Sequence, residues 1–107
     1  MHDEKKKILM YDLTCEQETA LAENYGEKYE IVKTDCFTDI LAIPATIVVV
    51  NPEKLTWHDF SQMNEVFKYD FDTLIVLTKE LDEDERRYFN VNRFKRVRYY
   101  RGNGKIV

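Results

Sequence analysis

Four short polar residues stand where apolar stretches of the sequence end, namely Asp12, Asp35, Asn51 and Thr78. If those stretches are parallel strands of one sheet, their carboxyl ends meet at one edge, where open α/β sheets bind ligands. Carboxylate, amide and hydroxyl groups there could form a strand-end pocket for a metal ion or a small polar ligand. Short polar residues also occur at strand ends because they hydrogen-bond to loop and helix-start backbone groups. The sequence is compatible with both interpretations.

Cys15 is the candidate reactive thiol. It falls in the first turn of a predicted helix, where the helix dipole favours the thiolate form. Glu16 and Glu18 flank it and oppose that effect, so the alternative is an ordinary, partly buried cysteine. Cys36 follows the second predicted strand, and because disulfide geometry is strict, we expect two independent reduced thiols.

Motifs for nucleotide, metal or triad chemistry are missing from the sequence. Neither GxGxxG nor GxxxxGK[ST] occurs, and the two cysteines and two histidines lack zinc-site spacing. His58 has no cysteine or serine at a spacing that suggests a triad. The sequence therefore predicts no catalytic residue, no metal site and no cofactor, and it favours a non-enzymatic protein.

Composition predicts one ordered domain spanning residues 1–107. The chain is 44% hydrophobic and 34% charged, with three glycines and two prolines, which is typical of a globular protein. The longest apolar run, Ala45 to Val50, is far shorter than the roughly 20 residues that span a bilayer, so no membrane partner is expected. Two cysteines without a secretion signal predict a cytoplasmic location.

Charge is unevenly distributed along the chain. Residues 93–107 carry six basic and no acidic side chains, whereas residues 1–92 carry 10 basic and 20 acidic ones. The candidate basic interaction strand within this segment consists of Arg96, Arg98, Tyr99, Tyr100 and Arg101. Arginines interleaved with tyrosines are typical of nucleic-acid sites, but the pI of about 5.2 disfavours that partner. A protein partner and a solvated sheet edge are the other interpretations.

Apolar periodicity predicts alternating strands and helices. The β-branched runs Ala45–Asn51 and Asp72–Thr78 show no polar alternation, as expected of central strands covered on both faces. Three other strands are predicted at 7–13, 29–36 and 94–100. Helices are predicted from Thr14, which forms a capping-box pattern with Gln17, at 37–43, from Thr56 and from Asp82. Gly26 predicts a left-handed end to the first helix.

This alternation predicts a three-layer α/β fold with a parallel five-stranded sheet in the order 2-1-3-4-5, the flavodoxin-like arrangement. Only about seven residues follow Tyr100, so the last helix of such folds is missing. Gly102-Asn103-Gly104 could instead turn Lys105–Val107 back as a hairpin. Part of one sheet face should therefore lie bare, or be covered by the hairpin or by another chain.

The segments Val48-Val49-Val50-Asn51 and Leu74-Ile75-Val76-Leu77-Thr78 resemble response-regulator receiver domains, and the likeness extends to Tyr100. The resemblance implies a phosphoryl-transfer site in which Asp12 belongs to the Mg²⁺-binding acid pair, Asn51 stands at the phosphoacceptor, Thr78 at the hydroxyl position and Arg101 near the lysine. An amide cannot act as the nucleophile, and one carboxylate is fewer than hard-cation sites use. The resemblance is therefore to a degenerate receiver domain without the phosphoacceptor aspartate.

Together these patterns predict a non-catalytic interaction or regulatory domain. It would act through self-association as a homo-oligomer, or through a protein partner, on the face without a fifth helix, because soluble monomers seldom expose large apolar patches. The alternative is a small-ligand-binding or redox enzyme that uses the strand-end polar residues and Cys15.

Overall fold

A computed structural model describes residues 6–67, 70, 72–88, 97–101 and 104–107. These residues form strands β1 (Lys6–Tyr11), β2 (Tyr29–Thr34), β3 (Ile47–Val50), β4 (Leu74–Leu77), β5 (Val97–Arg101) and β6 (Lys105–Ile106). They also form helices α1 (Cys15–Tyr25), α2 (Thr38–Ala42), α3 (Trp57–Phe67) and α4 (Glu83–Tyr88), with a 3₁₀ turn at Pro52–Lys54. Among these helices, none has both the length and the apolar character needed to span a membrane.

The strands form one sheet in the order β2-β1-β3-β4-β5-β6. The first five are parallel, and β6 pairs antiparallel with β5. The predicted flavodoxin-like order 2-1-3-4-5 and the C-terminal hairpin are thus confirmed. Because β1 to β5 are parallel, their carboxyl ends lie along one edge of the sheet, which we call the carboxyl edge.

The two central strands are buried on both faces. Val48, Val49 and Val50 of β3, and Ile75 and Val76 of β4, are each at most 1% exposed. Branched side chains pack well on a pleated surface, and shelter on both faces removes any need for polar alternation. The central-strand prediction is therefore confirmed for both runs.

Helices cover the two faces of the sheet unequally. On the first face, Ile40 of α2 and Phe60 and Met63 of α3 pack against strand residues in one apolar cluster. On the second face, α1 contributes Leu21 to a smaller cluster that includes Val49. Among the residues that the structure describes, α1 is therefore the one long helix on the second face.

The C-terminal hairpin covers the second face where a fifth helix would lie. Tyr100 and Ile106 are cross-strand neighbours, and both pack against the apolar cluster of that face. Gly104, with φ +77°, lies so close to α1 that a side chain there would overlap the carbonyl oxygen of Ala20. Val49 in this cluster is 0% exposed. Of the three predicted outcomes for this face, the structure shows coverage by the hairpin.

Side-chain caps fix the starts of the two long helices. The Thr14 hydroxyl accepts a hydrogen bond from the Gln17 backbone at 3.1 Å, and the Gln17 side chain accepts one from the Thr14 backbone at 3.1 Å. Thr56 and Asp59 make the same reciprocal pair at the start of α3. Both cap predictions are confirmed. The prediction for Gly26 is wrong, because its φ of −63° is right-handed and its N–H donates to Ala22 as a further helical turn.

Candidate functional site

The four strand-end residues follow neighbouring strands at the carboxyl edge. Tyr11 is in register with Thr34 and with Val50, and Val50 with Leu77, so Asp12, Asp35, Asn51 and Thr78 each stand one residue beyond their strand. The Asp12 N–H donates to the Thr34 carbonyl at 2.8 Å, and the Thr78 N–H to the Val50 carbonyl at 3.0 Å. The structure thus places these residues along one edge, as the parallel topology requires.

Asn51 has a structural role in this arrangement. Its side-chain oxygen accepts a hydrogen bond from the Glu53 backbone at 3.0 Å and caps the 3₁₀ turn, in which Pro52 occupies an N-terminal position. Asparagine is a favoured residue at such a cap. The amide is therefore engaged in shaping the chain after β3.

Asp12 and Asp35 line an open depression of about 350 Å³, which also includes Leu13, Glu18, Lys33 and Thr34. Asn51 and Thr78 lie outside it. Lys33 and Glu18, on its wall, approach to 3.8 Å. Asp12 adopts a left-handed backbone conformation, with φ 50°, which aspartate tolerates better than most residues. The charged residues of the depression therefore come from the ends of β1 and β2 and from the first turn of α1.

Tyr11 lies among the carboxylates of this edge. Its side chain is buried and its ring meets Phe37 edge-on at 5.9 Å. Burial, followed by the negative charges of Asp59 and Asp12, raises the pKa of the Tyr11 hydroxyl above its ordinary value, and Asp35 contributes in the same direction. The neutral form of the Tyr11 hydroxyl is therefore favoured by its burial and by the nearby acids.

The two cysteines are both exposed, free thiols. The prediction of a partly buried Cys15 is wrong, because Cys15 is the first residue of α1 and faces solvent. Cys36 lies in a turn where its N–H donates to the Thr34 hydroxyl at 3.0 Å and its sulfur is 2.9 Å from the Thr38 hydroxyl. Among the described residues, no three histidine, cysteine, aspartate or glutamate side chains group together as metal ligands would.

An ion pair that the sequence analysis missed lies next to Thr78. The Lys79 ammonium contacts Glu85 Oε1 at 2.7 Å, and the same oxygen accepts the Asp82 N–H at 3.0 Å. The hydrogen bond that Lys79 donates to Glu85 outweighs burial and raises the pKa of Lys79 above its ordinary value, with smaller contributions from the charges of Asp82 and Glu53. The six-residue separation between the partners offered no helical or strand periodicity to reveal them.

Trp57 is exposed at the carboxyl edge, although it begins a helix whose other large apolar residues are mostly buried. Phe60, Met63 and Phe67 of that helix are buried, whereas Trp57 is 63% exposed. The helix begins at Trp57, so the indole stands at the tip of the helix. The ring of His58 meets it edge-on at 5.9 Å.

The C-terminal hairpin presents cations to solvent. Arg98, Arg101 and Lys105 are exposed, whereas Tyr99 and Tyr100 are partly buried in the clusters of opposite faces. We call these three cations the basic hairpin. The Arg101 guanidinium lies 5.9 Å from the centre of the Tyr99 ring. Of the candidate basic strand, Arg96 lies outside the described residues.

Comparisons of the chain with models of protein families, with curated proteins and with solved structures find no match.

Proposed function

We propose that this protein is a non-catalytic interaction domain that self-associates through the carboxyl edge of its sheet, with Trp57 as the central contact. The exposure of Trp57 carries the proposal. Among the described residues, the other large exposed apolar side chains are Val66 at 47% and the last residue, Val107, at 64%. Tryptophan is enriched among the side chains that dominate binding energy in protein interfaces.

The position of Trp57 supports a binding role. The Thr56–Asp59 cap holds the first turn of α3 in place, and the indole is large and has few rotatable bonds. A tryptophan on a fixed helix tip loses little conformational entropy when it binds, so its surface area contributes efficiently to affinity.

The charge of the chain supports a second copy as the partner. The carboxyl edge carries the acids Asp12, Asp35, Glu53 and Asp59. In contrast, all charged side chains of residues 93–107 are basic. A molecule that carries both signs on separate regions can complement itself, and such complementarity steers association.

Sedimentation equilibrium tests this proposal. We expect a wild-type dimer that dissociates at micromolar concentration, and we expect Trp57→Ala to weaken it by about 2 kcal/mol, roughly thirty-fold in Kd. Val66→Ala, an exposed apolar position at the other end of α3, is the matched control and should leave the dimer intact. A wild-type protein that stays monomeric, or equal effects of the two substitutions, would contradict the proposal.

A degenerate receiver domain is the finer form of this proposal. It is supported by the strand order and by the alignment of Asp12, Asn51 and Thr78 at the carboxyl edge. It requires that the protein take no phosphoryl group from acetyl phosphate and Mg²⁺, since an amide is not a nucleophile for that reaction. Labelling that depends on Mg²⁺ would count against it.

The alternative, a redox or small-ligand enzyme that uses Cys15, has the exposure of that thiol in its favour. Alkylation separates the two functions, because a reactive thiol is attacked faster than an ordinary exposed one. The interaction proposal expects Cys15 and Cys36 to react at similar rates, whereas a much faster reaction at Cys15 would favour the enzyme. A cytoplasmic location stays a prediction under either function.

A further inference from the structure

We infer that the basic hairpin of a second copy docks on the acidic side of the carboxyl edge, beside Trp57. The inference rests on the proposed self-association and names the surface that Trp57 meets. Two observations support it: Arg101 and Lys105 of the hairpin carry like charges at opposite positions, and acids at the carboxyl edge can neutralise them.

Arg101 and Lys105 lie directly opposite each other on β5 and β6. Side chains at such positions are on the same face with Cβ atoms about 5 Å apart, where like charges destabilise the pairing. Both side chains are exposed, and among the described residues neither one forms an ion pair. An anionic partner would relieve the repulsion, so the hairpin is better suited to a complex than to the isolated molecule.

Acids at the other end of the same edge provide that partner. Asp12 and Asp35 follow the paired strands β1 and β2, and Asp59 lies in the first turn of α3, so all three stand at the carboxyl edge. Glu53 belongs to the same edge, since it lies in the 3₁₀ turn that follows β3. A docked hairpin would therefore meet several carboxylates at once.

The sheet order allows two copies to make this contact twice. The acids follow β2, β1 and β3, whereas the hairpin is formed by β5 and β6 at the opposite side of the sheet. A two-fold axis through the middle of the carboxyl edge brings the hairpin of each copy over the acids of the other, as isologous dimers require. Trp57 follows β3 and lies near that axis, so it would be enclosed between the two copies.

Arginine suits a site of this composition. Its guanidinium stacks on aromatic rings as well as pairing with carboxylates, and Arg101 already stands 5.9 Å from Tyr99. On docking, Arg101 can pack against the Trp57 indole of the second copy while Lys105 faces Asp35. The exposed acids Glu80, Glu83 and Asp84 add to the negative charge of the edge.

Charge reversal tests the docking. We expect Arg101→Glu with Lys105→Glu to weaken the dimer about ten-fold or more in Kd by sedimentation equilibrium, because each acid would then face an acid. The matched control is Lys6→Glu with Lys28→Glu, which makes the same change in net charge on exposed residues at the opposite edge. The Kd of the control dimer should stay within about two-fold of the wild-type value. Added salt should weaken the wild-type dimer, because it screens the charges.

A mixing experiment keeps the test valid if the hairpin variant is destabilised. A second variant, Asp35→Lys with Glu53→Lys, should also dimerise weakly by itself. Mixed with the hairpin variant, it should form a heterodimer, because the reversed charges again complement each other. Equal effects of the hairpin and control variants, or no heterodimer, would overturn the docking. If Trp57→Ala still dissociates the dimer in that case, self-association stands and only the identity of the docking surface is wrong.

Discussion

Lys79 and Glu85 form a short ion pair, and because of it the stability of the fold should depend on pH in the alkaline range. The pKa of Lys79 lies above its ordinary value of 10.5 because its ammonium donates a hydrogen bond to Glu85. A lysine whose pKa is raised on folding stabilises the fold fully below the unfolded pKa, and the contribution disappears as the pH rises through the folded pKa.

We therefore expect Glu85→Gln to lower the free energy of unfolding by about 1 kcal/mol at neutral pH. The glutamine amide can still accept the Asp82 N–H, so the cap of α4 is kept while the charge is removed. The difference between variant and wild type should shrink above the pKa of Lys79. Urea titrations across this pH range give the measurement, and a difference that stays constant with pH would contradict the role of the ion pair.

Asp70 has a lowered pKa and makes the stability of the fold depend on pH in the acidic range. Partial burial acts to raise the pKa of its carboxyl group, but hydrogen bonds from Thr73 and the Asp72 backbone outweigh burial and lower it below 3.8. The carboxylate accepts the Thr73 hydroxyl at 2.6 Å and the Thr73 N–H at 2.9 Å. This turn before β4 is therefore stabilised above the ordinary aspartate pKa and loses that contribution as the pH falls through the folded value.

The strand-end residues were predictable from the sequence, but the side chains that lie near them were not. Asp12 and Asn51 follow from where apolar runs stop, which is a local property of the chain. The exposure of Trp57 depends on the helix tip standing at the carboxyl edge, and the contact of Lys79 with Glu85 depends on the path of the intervening loop. Spacing alone reveals neither, because both are set by the packing of separate elements.

At the scale of elements, the hairpin is the part of the fold that replaces a helix. Its ladder is short, with Tyr99 and Val107 exchanging hydrogen bonds at 2.9 and 2.8 Å. Its position depends on Gly104, whose positive φ other residues rarely adopt and whose Cα faces Ala20 and Asn24 without room for a side chain.

We expect Gly104→Ala to destabilise the protein by about 2 kcal/mol, from backbone strain and from overlap with α1. The loss should be local. In hydrogen exchange, the amides of Tyr99 and Val107 should lose protection before those of Val49 and Val76. Gly104→Asn is an informative comparison, because asparagine tolerates the positive φ but still overlaps α1. If Asn restores wild-type stability, strain alone explains the effect and the contact with α1 is unimportant.

The fold was predictable at the element level because its strongest signals are local. Continuous β-branched runs identified β3 and β4, and capping residues placed the starts of α1 and α3. Gly26 was misread because a glycine permits a left-handed helix end but does not require one. The face covered by the hairpin could not be decided from the sequence, since it depends on a contact between Gly104 and Ala20, far apart in the chain.

In the whole molecule, the proposed self-association depends on the separation of charge along one edge of the sheet. Acids follow β1, β2, β3 and β4, whereas the exposed cations of β5 and β6 lie at one end of the sheet. The basic segment was visible in the sequence, but the acids are scattered along the chain and only the parallel sheet brings them to one side. The sequence predicted an interaction surface on a bare sheet face. Because the hairpin covers that face, the proposed interaction surface is the carboxyl edge.

The fluorescence emission of Trp57 on dilution is a direct test of self-association through the carboxyl edge. Trp57 is the only tryptophan of the chain, so intrinsic fluorescence reports on the proposed contact without a label. We expect blue-shifted emission at high micromolar concentration, where the indole is enclosed in the dimer. On dilution or on addition of salt, the emission should shift to the red as the indole becomes solvated. Emission of a solvated indole that is unchanged from nanomolar to high micromolar concentration would contradict self-association through the carboxyl edge.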